Sequence, residues 1–146
     1  MVKNGVLKLA QYLINQRQVL SSHLQRLLFF LRYEELKNQT TKGSYFAKNY
    51  NFEAWINGAA NRQSCFYDFK NEPIVLKQTE IERLNKQYGA ALEKWSRYGF
   101  YHLTKRAQQN QAWKAARHGL MANEVGLNRI IDESQPAFLE FDGEWK

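Results

Sequence analysis

Apolar positions recur at helical spacing from the start of the chain. Val6, Leu9, Ala10, Leu13 and Ile14 form one stripe, with Lys8, Gln11 and Gln16 on the opposite face, which predicts a first helix. A second begins near Ser22, where Ser22 and Gln25 have the spacing of a capping box. Leu24, Leu27, Leu28 and Leu31, joined by Phe29 and Phe30, make that stripe too wide for a surface helix, so it should be central and covered on two sides. The polar run NQTTKG, residues 38–43, reads as a loop. The aromatic stretch SYFAKNYNFEAWING after it keeps no single period and predicts turns mixed with a short strand and a short helix. Asn57 or Gly58 is expected to take a left-handed conformation that closes a helical turn, and CFYDF fits a strand or one helical turn equally.

Beyond Pro73 the periodicity returns. Thr79 and Glu82 offer a second capping box ahead of Ile81, Leu84, Tyr88, Ala91, Leu92 and Trp95. Glu82 and Lys86 are spaced for an i,i+4 pair worth only about 0.2–0.5 kcal/mol, so apolar burial must supply most of this helix's stability. Further helices are predicted over Phe100–Ala107 and Ala112–Arg117, the latter closed by Gly119. Asn123 is expected to cap a last helix through Ile130 and Ile131 that ends near Gln135, before Pro136. The tail, residues 136–146 with the run FLEFDGEWK, reads either as a strand with a turn at Asp142–Gly143 or as a loosely held terminus. The resulting expectation is mainly α: one compact domain over residues 1–146, with about five to seven helices and room for a small β element.

Composition narrows this picture. A chain of 146 residues, 44% hydrophobic and 14% aromatic, suits one domain that buries somewhat over about 60% of its unfolded surface and needs no disulfide or metal clamp. The single cysteine, Cys65, excludes an internal disulfide and a multi-thiolate zinc site, in keeping with a reducing cytoplasm. No apolar run is long enough to span hydrocarbon, and the opening MVKNGVLKLAQYLINQRQ is amphipathic rather than a secretory leader, so no membrane partner is expected. Net charge is +7 and uneven. Eight basic residues and one acidic residue lie between Arg83 and Arg117, whereas five acids and one lysine follow from Asp132, so the two regions could face each other.

Candidate chemistry is sparse. There is no phosphate-cradling glycine loop, metalloprotease motif or nucleophile elbow. Cys65 with His102 or His118 as base, a metal held by His23, His102 and His118, and a carboxylate pair drawn from Glu34, Glu35, Glu53 and Asp68 would each need tertiary proximity that no spacing supplies. The expectation is a noncatalytic chain with no cofactor and no metal, an enzyme with an unrecognised site being one alternative. Another is a nucleic-acid-binding regulator. Arg83, Lys86, Lys94 and Arg97 share the polar side of one helix, followed by Lys105, Arg106, Lys114 and Arg117, but no recognised binding motif accompanies them.

Three segments in order resemble the Panacea domain, a family that includes a SocA-like proteolytic adaptor and many phage-associated or antitoxin proteins. HLQRLLFFLR, residues 23–32, resembles the family's KLQKLLYFAQ; FEAWINGAAN, residues 52–61, resembles FEAWKYGPVVP; and LTKRAQQNQAWKAAR, residues 103–117, resembles its L-x-x-LTH-x-x-x-PW-x-x-A. The resemblance runs from about Val6 to about Ile131. It departs where Ala59–Arg62 replaces the segment holding both prolines, where Lys105 follows Thr104 in place of histidine, and where Ala112 precedes Trp113 in place of proline. It implies a protein that neutralises a toxin by direct binding or delivers a target protein for degradation. Candidate partner-binding residues are Phe52, Trp55 and Arg62, then Arg97, Tyr98, Tyr101, Thr104 and Lys105, because aromatic and arginine side chains make good interface anchors. Gly58, Trp95 and Trp113 are read as residues that shape the motif, and Phe52, Trp55, Trp95 and Trp113 also suit a core.

Overall fold

Residues 4–134 and 136–144 are described by a computed structural model. The predicted helical stripes become α1 (Gly5–Arg17), α2 (Ser21–Lys37), α4 (Gln78–Ser96), α5 (Phe100–Ala107) and α6 (Gln111–Ala116), with one turn of helix, α3, at Arg62–Cys65. The fold is a compact, mainly helical domain with a small unclosed sheet: β1 (Glu53–Trp55) and β2 (Gly58–Ala60) pair antiparallel, Ala54 opposite Ala59. The wide apolar stripe of α2 has the predicted consequence. Leu24 and Leu27–Leu31 are at most 2% exposed, enclosed by α1, α4, α5 and β2. Phe29 sits edge-on to Phe30, Phe52 and Phe138, and Phe30 stacks on Trp95 at 4.4 Å between ring centroids, so α2 runs through the centre of one continuous core.

Burying α2 on all sides also buries its arginines, and Arg32 is fully compensated. Its Nη1 donates to Glu35 and its Nε to Glu133, both at 2.7 Å, and Nη2 reaches the carbonyls of Ala47 and Lys48 at 3.2 and 3.0 Å. Glu35 also accepts from Ser44 Oγ at 2.7 Å and Tyr88 Oη at 2.8 Å; Glu133 accepts from the Asn51 backbone N–H at 2.7 Å. A buried charge is tolerable when its hydrogen bonds are all met, and here the network pins the 44–51 loop, α4 and the segment after Ile131 onto α2.

Several local expectations fail, and at Gln25 the cause is a tertiary partner. α2 starts at Ser21 after Leu20, with no side-chain cap; Gln25 instead accepts from the Asn61 N–H at 2.6 Å and donates to Ser64 Oγ at 3.0 Å. α4 follows Lys77, again with no side-chain cap, so Thr79 and Glu82 form no capping box. Side-chain caps do occur at Asn61 and Asn110, whose Oδ1 atoms accept from Ser64 N–H and Trp113 N–H. Gly58 does have positive φ, at 125°, but in a β-hairpin rather than at a helix end. CFYDF forms the end of α3 and the turn beyond it.

The helix expected from Asn123 to Ile131 is absent. Ala54 N–H donates to Arg129 O at 2.7 Å and Ile131 N–H to Phe52 O at 2.9 Å, so this segment lies along β1 in an isolated bridge between Glu53 and Ile130. The Arg117 guanidinium organises the preceding loop by donating to the carbonyls of Ala54, Met121, Glu124 and Val125 at 2.7–3.2 Å. At Gly126, φ is 97° and the backbone packs on Ala54 O where a Cβ would collide. Among its described residues the tail forms no strand: Pro136–Leu139 is a 3-10 turn, and Phe141 makes a single bridge to Asn110. Gln135, expected to end the missing helix, and Trp145 and Lys146 of the tail lie outside the described residues. The acidic end does meet the basic region, through Lys114 with Asp142 and Arg106 with the Asp142 and Gly143 carbonyls at 3.1 and 3.2 Å.

Candidate functional site

Three of the unmet polar groups lie at or beside the N-terminal end of α2. Gln18, in left-handed conformation, closes α1, and the chain turns through Val19 and Leu20 into α2. Leu20 is left 83% exposed at the position where a capping residue would sit. Among the described residues, the buried side-chain atoms without a partner are His23 Nε2, Arg26 Nε, Ser96 Oγ and Thr104 Oγ1. They belong to α2, the end of α4 and α5, and buried polar groups are normally satisfied.

Two cavities open here and share Ser21 and Ser22. The larger, about 790 Å³, is walled by Arg17, Leu20, His23, Leu27, Ser96 and Phe100, two of which, His23 and Ser96, carry an unmet atom buried behind the wall. Burial draws the His23 pKa down, partly opposed by its hydrogen bond to the Tyr98 backbone, and its ring lies edge-on to Phe100 at 6.3 Å. The outer side of α5 carries Tyr101, 69% exposed, with Lys105 Nζ 5.3 Å above its ring centre. The smaller cavity, about 120 Å³, lies towards the hairpin between Arg26, Trp55, Cys65 and Val125. Cys65 is half-buried, and burial pushes its thiol pKa up against the opposing charge of Arg26.

The expected partner-binding residues divide. Arg97, Tyr101 and Lys105 are exposed, Thr104 is half-buried with its unmet hydroxyl, and Tyr98 is half-buried against Trp95. Phe52 does not belong to a docking surface: it is 2% exposed and packed on Phe29 and Phe46. Trp55 is half-buried beside Phe66, its Nε1 donating to Glu53 at 2.9 Å. Arg62 is held in a fork on the same carboxylate at 2.8 Å for both bonds. Trp95 is a core residue on Phe30, and Trp113 donates to Trp55 O at 2.9 Å, tying α6 to the hairpin. Leu20, Arg26 and Ser96 escaped sequence reasoning. The one signal was an arginine within the apolar run of α2.

The basic helix face offers fewer free cations than its composition implies. Lys94 pairs with Glu34 at 2.5 Å and Arg83 with Glu80 at 3.3 Å, while Lys86 and Arg97 stay exposed. Arg106, Lys114 and Arg117 bind the C-terminal segments already described. Among the described residues no group of three His, Cys, Asp or Glu side chains is placed to hold a metal ion, and no histidine lines the Cys65 cavity. No helix among them is long and apolar enough to cross a membrane.

No protein-family model matches the chain, and neither the curated proteins nor the solved structures contain a significant match.

Proposed function

We propose that this chain is a noncatalytic, cytoplasmic protein-binding module that restrains a partner protein by docking it on the N-terminal end of α2 and the outer side of α5. By the motif resemblance, the partner is a toxin to be neutralised or a target to be delivered for degradation. The observation that carries the reading is a cavity lined by the exposed apolar side chains of Leu20 and Phe100, with exposed Tyr101 next to Phe100 on α5, and by His23 and Ser96, whose Nε2 and Oγ have no partner among the described residues. Exposed apolar groups rimmed by polar ones are the usual make-up of an interface centre. Binding would occlude the partner's surface and needs no cofactor, with the +7 charge hastening encounter with an acidic surface. Nucleic-acid binding through Arg83, Lys86, Lys94 and Arg97 has weaker support, since two of these four are engaged with carboxylates.

The test is affinity capture from the native cells after nuclease treatment, run in parallel with wild type and a Leu20→Ser/Tyr101→Ala double variant. One protein recovered stoichiometrically by wild type and lost by the variant is the expected result. Equal recovery by both, or material that disappears with nuclease, would overturn the reading.

A further inference from the structure

Two arginines are buried on α2, and their circumstances differ. Arg32 has two carboxylates and two carbonyls. Arg26, 4% exposed, donates Nη1 to the Ala59 carbonyl, and its Nε has no partner. Neither Asp nor Glu lines the cavity that Arg26 reaches, and the first turn of α2 contains no acid. Burial draws the Arg26 pKa down to about 10, with only the Cys65 thiol opposing. The guanidinium packs closely against Gly58, where an added Cβ would stand 3.1 Å from Arg26 Cζ and 3.2 Å from Nε.

The same cavity is bounded by Ser21 and Ser22, at the start of a 17-residue helix whose first N–H groups receive no side-chain cap. A helix N-terminus bears roughly half a positive charge and directs free N–H donors at whatever lies before it. A buried guanidinium without a counterion is costly, and a carboxylate fits its fork of donors. Arg26 and the start of α2 border one space of about 120 Å³, with no acidic residue among the described residues of its wall.

We propose that the cavity between the start of α2 and the hairpin is an anion site that receives a carboxylate on Arg26 and the first turn of α2. The occupant is an acidic side chain of the bound partner; that assignment rests on the protein-docking reading, whereas the anion site does not. Trp55, Ile56 and Val125 at the cavity would pack on the apolar stem of such a side chain.

Cys65 lines the cavity and is the chain's sole cysteine, so its alkylation by neutral iodoacetamide reports occupancy. Sodium acetate and inorganic phosphate would be titrated at ionic strength fixed with sodium chloride. Saturable slowing of alkylation is expected, and Arg26→Met should raise the half-saturating concentration at least about tenfold, the worth of one charge-assisted hydrogen bond. Ser22→Asp keeps the fold with a favourable first-turn charge and should abolish the protection by placing a carboxylate at the mouth. Indifference to both anions, or equal protection in wild type and Ser22→Asp, would overturn the site. A short peptide of Asp and Leu should protect at a lower concentration than acetate. Equal concentrations would overturn the partner-side-chain assignment and leave a site for free small anions.

Discussion

Replacing each of the two buried arginines of α2 by methionine should have very unequal consequences for stability. Methionine keeps the apolar stem of either side chain out to the position of Nε, so both variants lose the same charged head. In Arg32→Met the carboxylates of Glu35 and Glu133 lose a counterion 2.7 Å away while their side chains remain at most 3% exposed. Removing one member of such a buried set costs about 3–5 kcal/mol. With a urea m value of about 2 kcal/mol/M, the unfolding midpoint should fall by about 1.5–2.5 M. Arg26→Met forfeits one hydrogen bond to Ala59 O but also releases a buried charge that no acid compensates. Those effects oppose, and the net change should stay within about 1 kcal/mol, a shift of about 0.5 M or less. Urea unfolding followed by far-UV circular dichroism, in buffer without phosphate or carboxylate, gives both numbers. If Arg26→Met falls as far as Arg32→Met, Arg26 is compensated inside the fold and its cavity lacks no anion.

Other outcomes follow from single features. Gly89→Ala, in mid α4 with the nearest side-chain atom 4.0 Å from the new Cβ, should raise stability by about 0.5–1 kcal/mol in the same assay. Acid should weaken the fold through Glu80 and Glu53. Tyr45 and Lys8 hold Glu80 below its ordinary 4.5, and at Glu53 the bonds from Arg62, Trp55 and Asn128 together outweigh the upward push of burial. Both folded values lie below the unfolded ones, so this stability is complete above about pH 4.5 and lost as pH falls through the folded values; a Glu53→Gln/Glu80→Gln variant should flatten the acid limb of the urea midpoint. At the alkaline end, burial and Glu80 push Tyr45 up to about 12, so stability should decline as pH rises above the ordinary 10, and ultraviolet titration should find this phenol still protonated near pH 11. Leu20→Ser and Tyr101→Ala, at 83% and 69% exposure, should each change stability by less than about 0.5 kcal/mol, which unfolding curves of the single variants would check.

The helices were legible wherever burial follows one period. The stripe Leu24–Leu31 announced the centre of the core, and Leu84, Tyr88, Leu92 and Trp95 are the four buried positions of α4. The box expected at Ser22 fails because short-range spacing cannot show a long-range competitor: Gln25 is claimed by Asn61 and Ser64, 36 and 39 residues away. The segment from Asn123 to Ile131 has helix-compatible residues, yet its backbone groups go to β1 and to Arg117, partners that exist only after folding. Of the candidate site, the exposed side of α5 was visible as an aromatic and basic cluster around Tyr101 and Lys105. The unmet atoms were not. Whether His23, Arg26 or Ser96 finds a partner is decided by neighbours far along the chain, and the expected anchor Phe52 was lost to the core for the same reason.

Hydrogen exchange of the protein alone and in complex with its captured partner tests the docking face most directly. The expected result is new protection at residues 20–26, 55–58 and 97–105, with α4 between Arg83 and Lys94 unchanged. Protection confined to that basic stretch of α4, or none at the start of α2, would contradict the account.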